Sequence, residues 1–401
     1  MSSSDRAYHP LVRDHGSELS SASLMDTAAR HVGSDDWGDL GFTAALDLLL
    51  ASCRERDALT PFGWRVLRST ALRHLRNRLL VQSFARADPT IDAQVLPGAI
   101  VVTGLPRTGT TLLHNLLVLD PDNRYLRLWE ALRPVPPADA AARAALIEQA
   151  HGWLDQFYTL VPGFRTIHAL TAEGPEECDA LLQNSFASQH FDDMFDAPAY
   201  SAWLSGADLS QEYSHYALQL RALASPDPVP RTWVLKSPLH VAHLDSLLHA
   251  LDGALVVHCH RDPLAAVSSY ASLIATLRRV YETDVSAHDV GRQALERCSA
   301  AMTRALAVRE VVGADSFADV RYADLVGDPV AVVRQIYRRA GRETTQPFEA
   351  RVRRWVADNP ASRHGSHRYG AADFGLSQDG VDAALMPYTE RFAATLHPAC
   401  S

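Results

Sequence analysis

The chain has 401 residues, of which 47% are hydrophobic and 21% are charged, a composition typical of a globular protein with one large or two ordinary domains. Its formal net charge of −9 argues against nucleic-acid binding through a globally basic surface. It has no run of about 18 apolar residues that could cross a membrane, no signal-peptide pattern and only five scattered cysteines, so we expect a soluble cytoplasmic protein.

Residues 1–97 are expected to form a helical N-terminal arm. Apolar residues recur at helical spacing over 42–56 and again over 61–87, and no convincing strand pattern occurs in this part of the chain. The second of these segments carries six arginines, Arg65, Arg68, Arg73, Arg76, Arg78 and Arg86. Such a pattern is typical of a solvated helix face. The alternative is an arm that packs on a second subunit, giving a homodimer, or that covers the active site.

Residues 98–401 are expected to form one domain in which short apolar strands alternate with helices. The candidate strands are 100–103, 232–235, 254–258 and 317–321. Buried β-branched strands separated by helices predict an α/β fold with a P-loop-like, doubly wound parallel sheet flanked by helices. Ligands bind such sheets at the carboxyl ends of the strands, and Arg107, Lys236 and Arg261 all fall there.

The pattern between residues 139 and 225 changes to helices and loops rich in aromatic residues. These are Trp153, Phe157, Tyr158, Phe164, Phe186, Phe191, Phe195, Tyr200, Trp203, Tyr213 and Tyr216. Most are expected to be core, but their density in an insertion between two strands also suits a helical cap over an apolar acceptor pocket. We expect such a cap to cover 139–225.

The most informative local pattern is Gly-Leu-Pro-Arg-Thr-Gly-Thr-Thr at residues 104–111, which joins a predicted strand to a predicted helix. It has the outline of a nucleotide P-loop, but Thr110 stands where that motif has its lysine, and the charge is supplied by Arg107 instead. Such a loop can bind a tetrahedral anion through backbone N–H groups and hydroxyls. The candidate residues are Arg107, Thr108, Gly109, Thr110, Thr111 and Leu112. The simpler alternative is a structural turn.

Two further loops place cations at the same edge of the sheet. Lys236 is the only lysine among 38 lysine and arginine residues, which favours a role for a compact point charge. Arg261 ends the next strand and Ser269 lies two turns into the following helix, so the two could hold one anionic group. His258 and His260 share a strand face, but no further cysteine or carboxylate has ligand spacing, so no metal is expected.

Together these loops resemble the paired signature of sulfotransferases that use 3′-phosphoadenosine 5′-phosphosulfate (PAPS). The chain is more closely similar to a bacterial branch with the motifs G-L-P-R-T-G-T-T, W-E, P-E-E-C, L-K-S-P-x-H and H-R-D-P. They stand here at residues 104–111, 129–130, 175–178, 235–240 and 260–263. The resemblance covers about residues 98–376 and its combined motifs are highly specific, whereas 1–97 is covered only loosely.

The resemblance implies roles for the residues around these motifs. The loop from Arg107 to Thr111 would bind the 5′-phosphosulfate, Arg261 and Ser269 would bind the 3′-phosphate, and Tyr322 would lie near the adenine. Arg107 would replace the lysine of many relatives. The product would be 3′,5′-adenosine diphosphate, and the scheme requires no metal. A basic C-terminal loop, with a plain surface loop as its alternative, would close over the cofactor with Arg363 and His367.

The general base is not fixed by the resemblance. Animal enzymes carry a histidine two residues after the lysine of the second motif, and that position is Pro238 here. Three replacements compete. Glu130 has a spacing that resembles carboxylate-base members of the superfamily, His168 begins the aromatic region, and His240 follows the missing histidine by two residues. Lys236 would supply a second cation near the leaving group.

We therefore expect a sulfotransferase that moves a sulfuryl group from PAPS to a hydroxyl, or an amine, of a small or lipid-like, partly apolar metabolite. A P-loop kinase or NTPase is the first alternative, although the Walker lysine and an aspartate-ended Walker-B strand are both missing. A non-catalytic nucleotide-binding subunit that kept the fold is the second. The presence of both Arg107 and Lys236 argues against this second alternative, because a subunit without activity would not need both cations.

Overall fold

The N-terminal part of the molecule is helical, as expected. The computed structural model describes residues 19–96, 98–164, 170–227, 229–359 and 370–396. Its first three helices are α1 (Ser21–Val32), α2 (Phe42–Arg56) and α3 (Pro61–Ala87), so both helices anticipated from periodicity have the predicted bounds. Thr60 caps α3 by accepting a hydrogen bond from the N–H of Gly63, and a short 3₁₀ turn, Pro89–Ile91, follows the helix.

The arginine-rich face of α3 is partly internal. Arg78 is only 3% exposed, and its guanidinium donates to the carbonyls of Trp37 and Asp39 and to Oγ of Ser185. It also lies over the ring of Phe42 at 4.3 Å. Arg78 therefore ties α3 to its neighbouring segments, and a purely solvated face is the wrong description for this arginine.

The central sheet of the molecule has five parallel strands. Its strands are β1 (Ile100–Gly104), β2 (Asn123–Arg124), β3 (Thr232–Lys236), β4 (Leu255–His260) and β5 (Phe317–Arg321), in the order β2-β3-β1-β4-β5. The four predicted strands are confirmed within two residues. The two-residue strand β2 was not predicted, because it is too short to show a period. With β1 central and its neighbours coming from later in the chain, the α/β doubly wound fold is confirmed.

Helices cover both faces of the sheet. Between β1 and β3 lie α4 (Thr110–Leu117), α5 (Leu128–Leu132), α6 (Ala140–Leu160), α7 (Asp179–Leu182), the 3₁₀ turn Gln183–Ser185, α8 (His190–Met194), α9 (Pro198–Gly206) and α10 (Ser210–Ala224). Between β3 and β5 lie the 3₁₀ segment Pro238–His243, α11 (Leu244–Ala250), α12 (Pro263–Tyr281), α13 (Ala287–Val312) and the 3₁₀ turn Ala314–Ser316. After β5 come α14 (Tyr322–Gly327), α15 (Pro329–Arg339), α16 (Gln346–Asp358), the 3₁₀ turn Ala371–Phe374, α17 (Gln378–Ala384), α18 (Met386–Arg391) and α19 (Ala393–Leu396).

The strands alternate between two hydrophobic clusters because successive side chains point to opposite faces. Val101 and Val256 pack in the larger cluster with the N-terminal helices, while Val102 and Val257 pack with α4, α15 and α16. The aromatic residues between α7 and α10 belong mostly to the larger cluster, where Phe186, Phe191, Phe195, Tyr200, Tyr213 and Tyr216 are fully buried. Within the described residues, no helix has both the length and the apolar character needed to cross a membrane.

Candidate active site

The loop between β1 and α4 follows a path that only glycine allows at two points. Gly104 has φ +141°, and a Cβ there would lie 2.4 Å from the carbonyl oxygen of Cys259 on β4. Gly109 has φ +96°, and its Cβ would lie 2.8 Å from the ring of Tyr322. These two glycines let the loop press against β4 and the start of α14. Arg107, between them, also has a positive φ, of 69°.

The hydroxyl of Thr108 stabilises this loop from inside. Thr108 is fully buried, and its Oγ1 donates to the carbonyl of Leu105 at 2.7 Å. That hydroxyl is therefore directed into the loop, which differs from the ligand-facing position assigned to it from sequence. The N–H groups of the first turn of α4 have no partner within the helix, and the positive end of the helix dipole lies there. Gly109 to Leu112 therefore present the donors that suit a phosphate-type anion.

Arg107, Arg261, Ser269 and Tyr322, predicted separately from three segments, are brought together at this loop. The Nε of Arg107 donates to Oγ of Ser269 at 3.2 Å, and Arg261 donates to the carbonyl of Arg107 at 2.9 Å. The guanidinium of Arg261 lies 4.5 Å from the ring centroid of Tyr322. Burial and the neighbouring charge of Arg261 lower the pKa of Arg107. The guanidinium groups of Arg107 and Arg261 both lie at this loop, an arrangement that favours binding of an anion.

Lys236 lies at the end of β3 and forms an ion pair with Glu177. Its Nζ is 2.5 Å from Oε1 of Glu177 and 3.4 Å from Oγ1 of Thr111, and the residue is 1% exposed. The segment that carries Glu177 is attached to β3, because the N–H of Cys178 donates to the carbonyl of Lys236 at 3.0 Å. The chain's single lysine therefore lies beside the loop between β1 and α4 with a carboxylate next to it.

Glu177 was missed as a functional residue from sequence. It belongs to the P-E-E-C motif, which was used only as a mark of resemblance. The signal that could have found it is the lone buried lysine, since a buried ammonium needs a partner of opposite charge. Its neighbour Glu176 is a different case: burial raises the pKa of that carboxyl to about 7.

The structure does not favour Glu130 as a proton acceptor. Each of its carboxyl oxygens receives two donors, one from Arg124 and one from Arg127, and the side chain is 4% exposed. The N–H of Arg127 is one of these donors, so the carboxylate also caps the start of α5. Because every lone-pair direction of this carboxylate is occupied, Glu130 has a structural role.

His240 is also engaged on both ring nitrogens. Its Nδ1 lies 2.8 Å from the hydroxyl of Tyr213 and its Nε2 lies 3.0 Å from Sγ of Cys178. The residue is fully buried, and burial lowers the pKa of the imidazole to about 3. This environment argues against a role for His240 in proton transfer. The remaining base candidate, His168, and the two residues of the C-terminal loop, Arg363 and His367, lie outside the described residues.

His258, His260 and Asp319 come together as a three-residue cluster with ligand atoms within 4.8 Å of one another. The cluster is already hydrogen-bonded: His260 contacts Asp319 at 2.9 Å, and Arg309 donates to the other Asp319 oxygen at 2.8 Å. Burial lowers the pKa of both imidazoles. The Arg309 guanidinium also lies 3.3 Å from Nδ1 of His258, where its positive charge opposes a cation.

A cavity with about 680 Å³ of empty space, part of it open to solvent, begins beside this loop. Leu105 and Pro106 form one wall, and Pro238 and Leu239, just after Lys236, form another. Much of the remaining lining is apolar, with Leu182, Leu204, Val241, Ala300 and Ala301. An apolar molecule bound here would lie next to Leu105 and Pro106 of the loop between β1 and α4.

Comparison with known proteins gives a consistent result. The profile of the sulfotransferase family matches residues 97–346. The crystal structure of sulfotransferase STF1 from Mycobacterium tuberculosis H37Rv superposes with a TM-score of 0.81 at 30% identity, covering 92% of this chain and 99% of that one. Sulfotransferase STF9 from Mycobacterium avium gives a TM-score of 0.83 at 26% identity, covering 99% and 100%. Stf3 from Mycobacterium tuberculosis, named an omega-hydroxy-beta-dihydromenaquinone-9 sulfotransferase, is 25% identical over 353 residues, 83% of this chain and 85% of that protein.

Proposed function

The chain belongs to the sulfotransferase family, and from this premise we propose that it transfers a sulfuryl group from PAPS to a hydroxyl of a small, largely apolar acceptor. The observation that carries this proposal is the convergence of Arg107, Arg261 and Lys236 around one loop at the carboxyl edge of the sheet. We place the enzyme in the cytoplasm, which is supported by four buried, unpaired cysteines among the described residues.

The residues at the loop fit a nucleotide with one anionic group at the 5′ position and another at the 3′ position of its ribose. The first-turn N–H groups of α4 and the Arg107 guanidinium would hold the 5′-phosphosulfate. Arg261 and Ser269, which reach the same point from β4 and α12, would hold the 3′-phosphate. Tyr322 would lie near the adenine. PAPS supplies the activated sulfuryl group and leaves as 3′,5′-adenosine diphosphate.

The protein's own groups then have distinct tasks. Negative charge builds on the leaving oxygen during sulfuryl transfer, and the Lys236 ammonium and the Arg107 guanidinium stabilise it from fixed positions. Glu177 accepts the proton of the acceptor hydroxyl at its carboxylate. Because Lys236 and Glu177 are in contact before reaction, the cation and the base are both positioned by one ion pair. Positioning and electrostatics carry most of the catalysis in this scheme.

The cavity beside Leu105 and Pro106 is the proposed acceptor site. Its apolar walls suit a hydrocarbon or aromatic body. Pro238 and Leu239 of its lining follow Lys236 by two and three residues, which supports a bound hydroxyl near the transferred group. The name of the Mycobacterium tuberculosis relative specifies a hydroxylated menaquinone derivative as acceptor, which supports a hydroxyl on an apolar body here. The same chemistry makes an amine acceptor the weaker alternative.

Calorimetric titration tests the donor assignment. We expect 3′,5′-adenosine diphosphate to bind more tightly than ATP with Mg²⁺, because Arg261 and Ser269 lie where a 3′-phosphate would be held. Arg261→Ala should weaken binding of 3′,5′-adenosine diphosphate about 50-fold, since charge-assisted hydrogen bonds contribute about 1.5–3 kcal/mol. Adenosine 5′-phosphosulfate, which lacks the 3′-phosphate, should lose less than about threefold.

Arg338→Ala is the matched control, because Arg338 is an exposed arginine in the last turn of α15. It should leave the affinity for both nucleotides unchanged. A preference for ATP would contradict the proposed function. Equal weakening of both nucleotides by Arg261→Ala would show that Arg261 acts on the fold of the loop rather than on the 3′-phosphate.

Glu130→Gln should lower the free energy of unfolding by about 3 kcal/mol, because it removes the charge that pairs with buried Arg124. Turnover at saturating substrates should change by less than about threefold, since both carboxyl oxygens of Glu130 are already occupied by donors from Arg124 and Arg127. Urea denaturation and kcat measure the two effects, with Glu148→Gln on the exposed face of α6 as control. A large loss of kcat with unchanged stability would restore Glu130 as the base.

A further inference from the structure

His260 is the last residue of β4, and both of its ring nitrogens are hydrogen-bonded. Nε2 lies 2.9 Å from Oδ1 of Asp319 on β5, and Nδ1 lies 3.0 Å from the hydroxyl of Tyr388 on α18. The residue is fully buried, and the ring of Phe392 packs on it with the two ring centroids 4.2 Å apart. His260 has no part in the catalytic scheme above, although it directly precedes Arg261.

The surroundings of this pair fix which atom donates each hydrogen bond. Burial acts to raise the pKa of the Asp319 carboxyl, but the hydrogen bond with His260 and the charge of Arg309 lower it to about 2. Burial lowers the pKa of the His260 imidazole, although the Asp319 carboxylate opposes that shift. An ionised carboxylate only accepts hydrogen bonds, and a neutral imidazole has one N–H. Nε2 of His260 therefore donates to Asp319, and Nδ1 accepts from the Tyr388 hydroxyl.

The hydrogen bond between His260 and Asp319 connects β4 and β5 where both strands end. The parallel pairing of these strands runs as far as His260 and Arg321, which are the last residues of β4 and β5. Asp319 is held from its other side, because Nη2 of Arg309 on α13 donates to its Oδ2 at 2.8 Å. The side-chain contact therefore fixes the spacing of the two strands at the last step of their pairing.

The residues that directly follow the two strands are Arg261 and Tyr322, which are assigned above to the nucleotide. The Arg261 guanidinium lies 4.5 Å from the ring centroid of Tyr322, and it donates to the carbonyl of Arg107 at 2.9 Å. Any shift between the ends of β4 and β5 changes the first of these contacts. An arginine that is already ordered before a phosphate binds loses less side-chain entropy on binding, so its affinity for the phosphate is higher.

We propose that His260 and Asp319 are positioning residues that hold Arg261 against Tyr322, and so set the preference of the enzyme for a nucleotide with a 3′-phosphate. His260 acts through Arg261 and does not contact the nucleotide itself. The inference rests on the proposed function, because the 3′-phosphate belongs to the donor assigned there. It gives the buried His260 a measurable role in donor selection, beyond that of a histidine in the core.

Two nucleotides that differ only in the 3′-phosphate test this proposal. Calorimetry gives the Kd of adenosine 5′-monophosphate divided by that of 3′,5′-adenosine diphosphate, a ratio that measures the 3′-phosphate preference. His260→Asn keeps an amide near the Nδ1 position but is too short to contact Asp319, so the ratio should fall about tenfold. His260→Gln places an amide N–H near the Nε2 position and should keep the ratio within about threefold.

Asp319→Ala tests the same hydrogen bond from its other end. The Asp319 side chain is 34% exposed, so this substitution perturbs the core less than a change in the buried ring. It should lower the ratio as much as His260→Asn does. The double variant should lose no more than either single variant, because both changes remove one shared contact.

His215→Asn is the matched control, because His215 is a buried histidine on α10 whose ring contacts Gln82 of α3. It should lower the temperature of thermal unfolding and leave the ratio unchanged. If His260→Asn and Asp319→Ala also lower only the unfolding temperature, the pair serves the fold alone and the proposal is wrong. Equal losses of the ratio in His260→Asn and His260→Gln would overturn it too. An unmodified enzyme without any 3′-phosphate preference would refute the proposed function, and this inference with it.

Discussion

Lys236→Met should lower kcat by about 10³, because it removes the cation that stabilises the departing oxygen while keeping a side chain of similar length in the buried site. Removal of one preorganised donor to a developing negative charge typically costs about 10²–10³ in rate. The affinity for 3′,5′-adenosine diphosphate should fall far less, by about tenfold or below, since Arg107, Arg261 and the helix N-terminus still hold the phosphates. Single-turnover kinetics with saturating donor measure the chemical step directly.

Lys236→Arg is the informative companion variant. The planar guanidinium is larger than the ammonium, and the 2.5 Å contact with Glu177 leaves little room for it, so we expect only partial recovery of kcat. Circular dichroism and thermal unfolding show whether either variant alters the fold. A Lys236→Met enzyme that keeps its kcat would remove Lys236 from the catalytic scheme, whatever its effect on stability.

The meeting of Arg107 and Arg261, which we propose bind the donor, could be predicted from sequence. Parallel strands end at one edge of the sheet, so Arg107 after β1 and Arg261 after β4 had to meet there, and the structure joins them through a 2.9 Å hydrogen bond. The strand β1 and its loop carry their pattern within a dozen consecutive residues. Local periodicity and turn chemistry were therefore enough to locate them.

The proposed proton acceptor could not be predicted, because its position depends on contacts between distant segments. Glu177 reaches Lys236 across 59 positions of sequence, through a loop attached to β3 by one backbone hydrogen bond. The engagement of His240 depends on Tyr213, 27 positions away. The capping role of Glu130 was also hidden from sequence, since Arg127 replaces the usual serine or threonine at the start of α5.

Glu177→Gln should lower kcat by about 10²–10⁴, the range that a positioned general base contributes. The amide can still contact Lys236 but cannot accept the proton of the acceptor hydroxyl. The rate of the unmodified enzyme should therefore fall as the solution is acidified and the carboxylate takes up a proton, and the variant should lack this acid limb. A role confined to holding Lys236 would lower kcat but leave the shape of the pH–rate profile unchanged.

Glu176→Gln provides the matched control at the adjacent position. Burial raises the pKa of the Glu176 carboxyl to about 7, which favours its neutral form, and the substitution keeps that side chain neutral. It should keep kcat within about threefold and retain the acid limb. If Glu176→Gln abolished the acid limb and Glu177→Gln did not, the proton would be accepted one residue earlier than proposed. If both variants kept the acid limb, neither Glu176 nor Glu177 would be the general base. Lys236 would then act on the leaving group, and the proton would be accepted elsewhere.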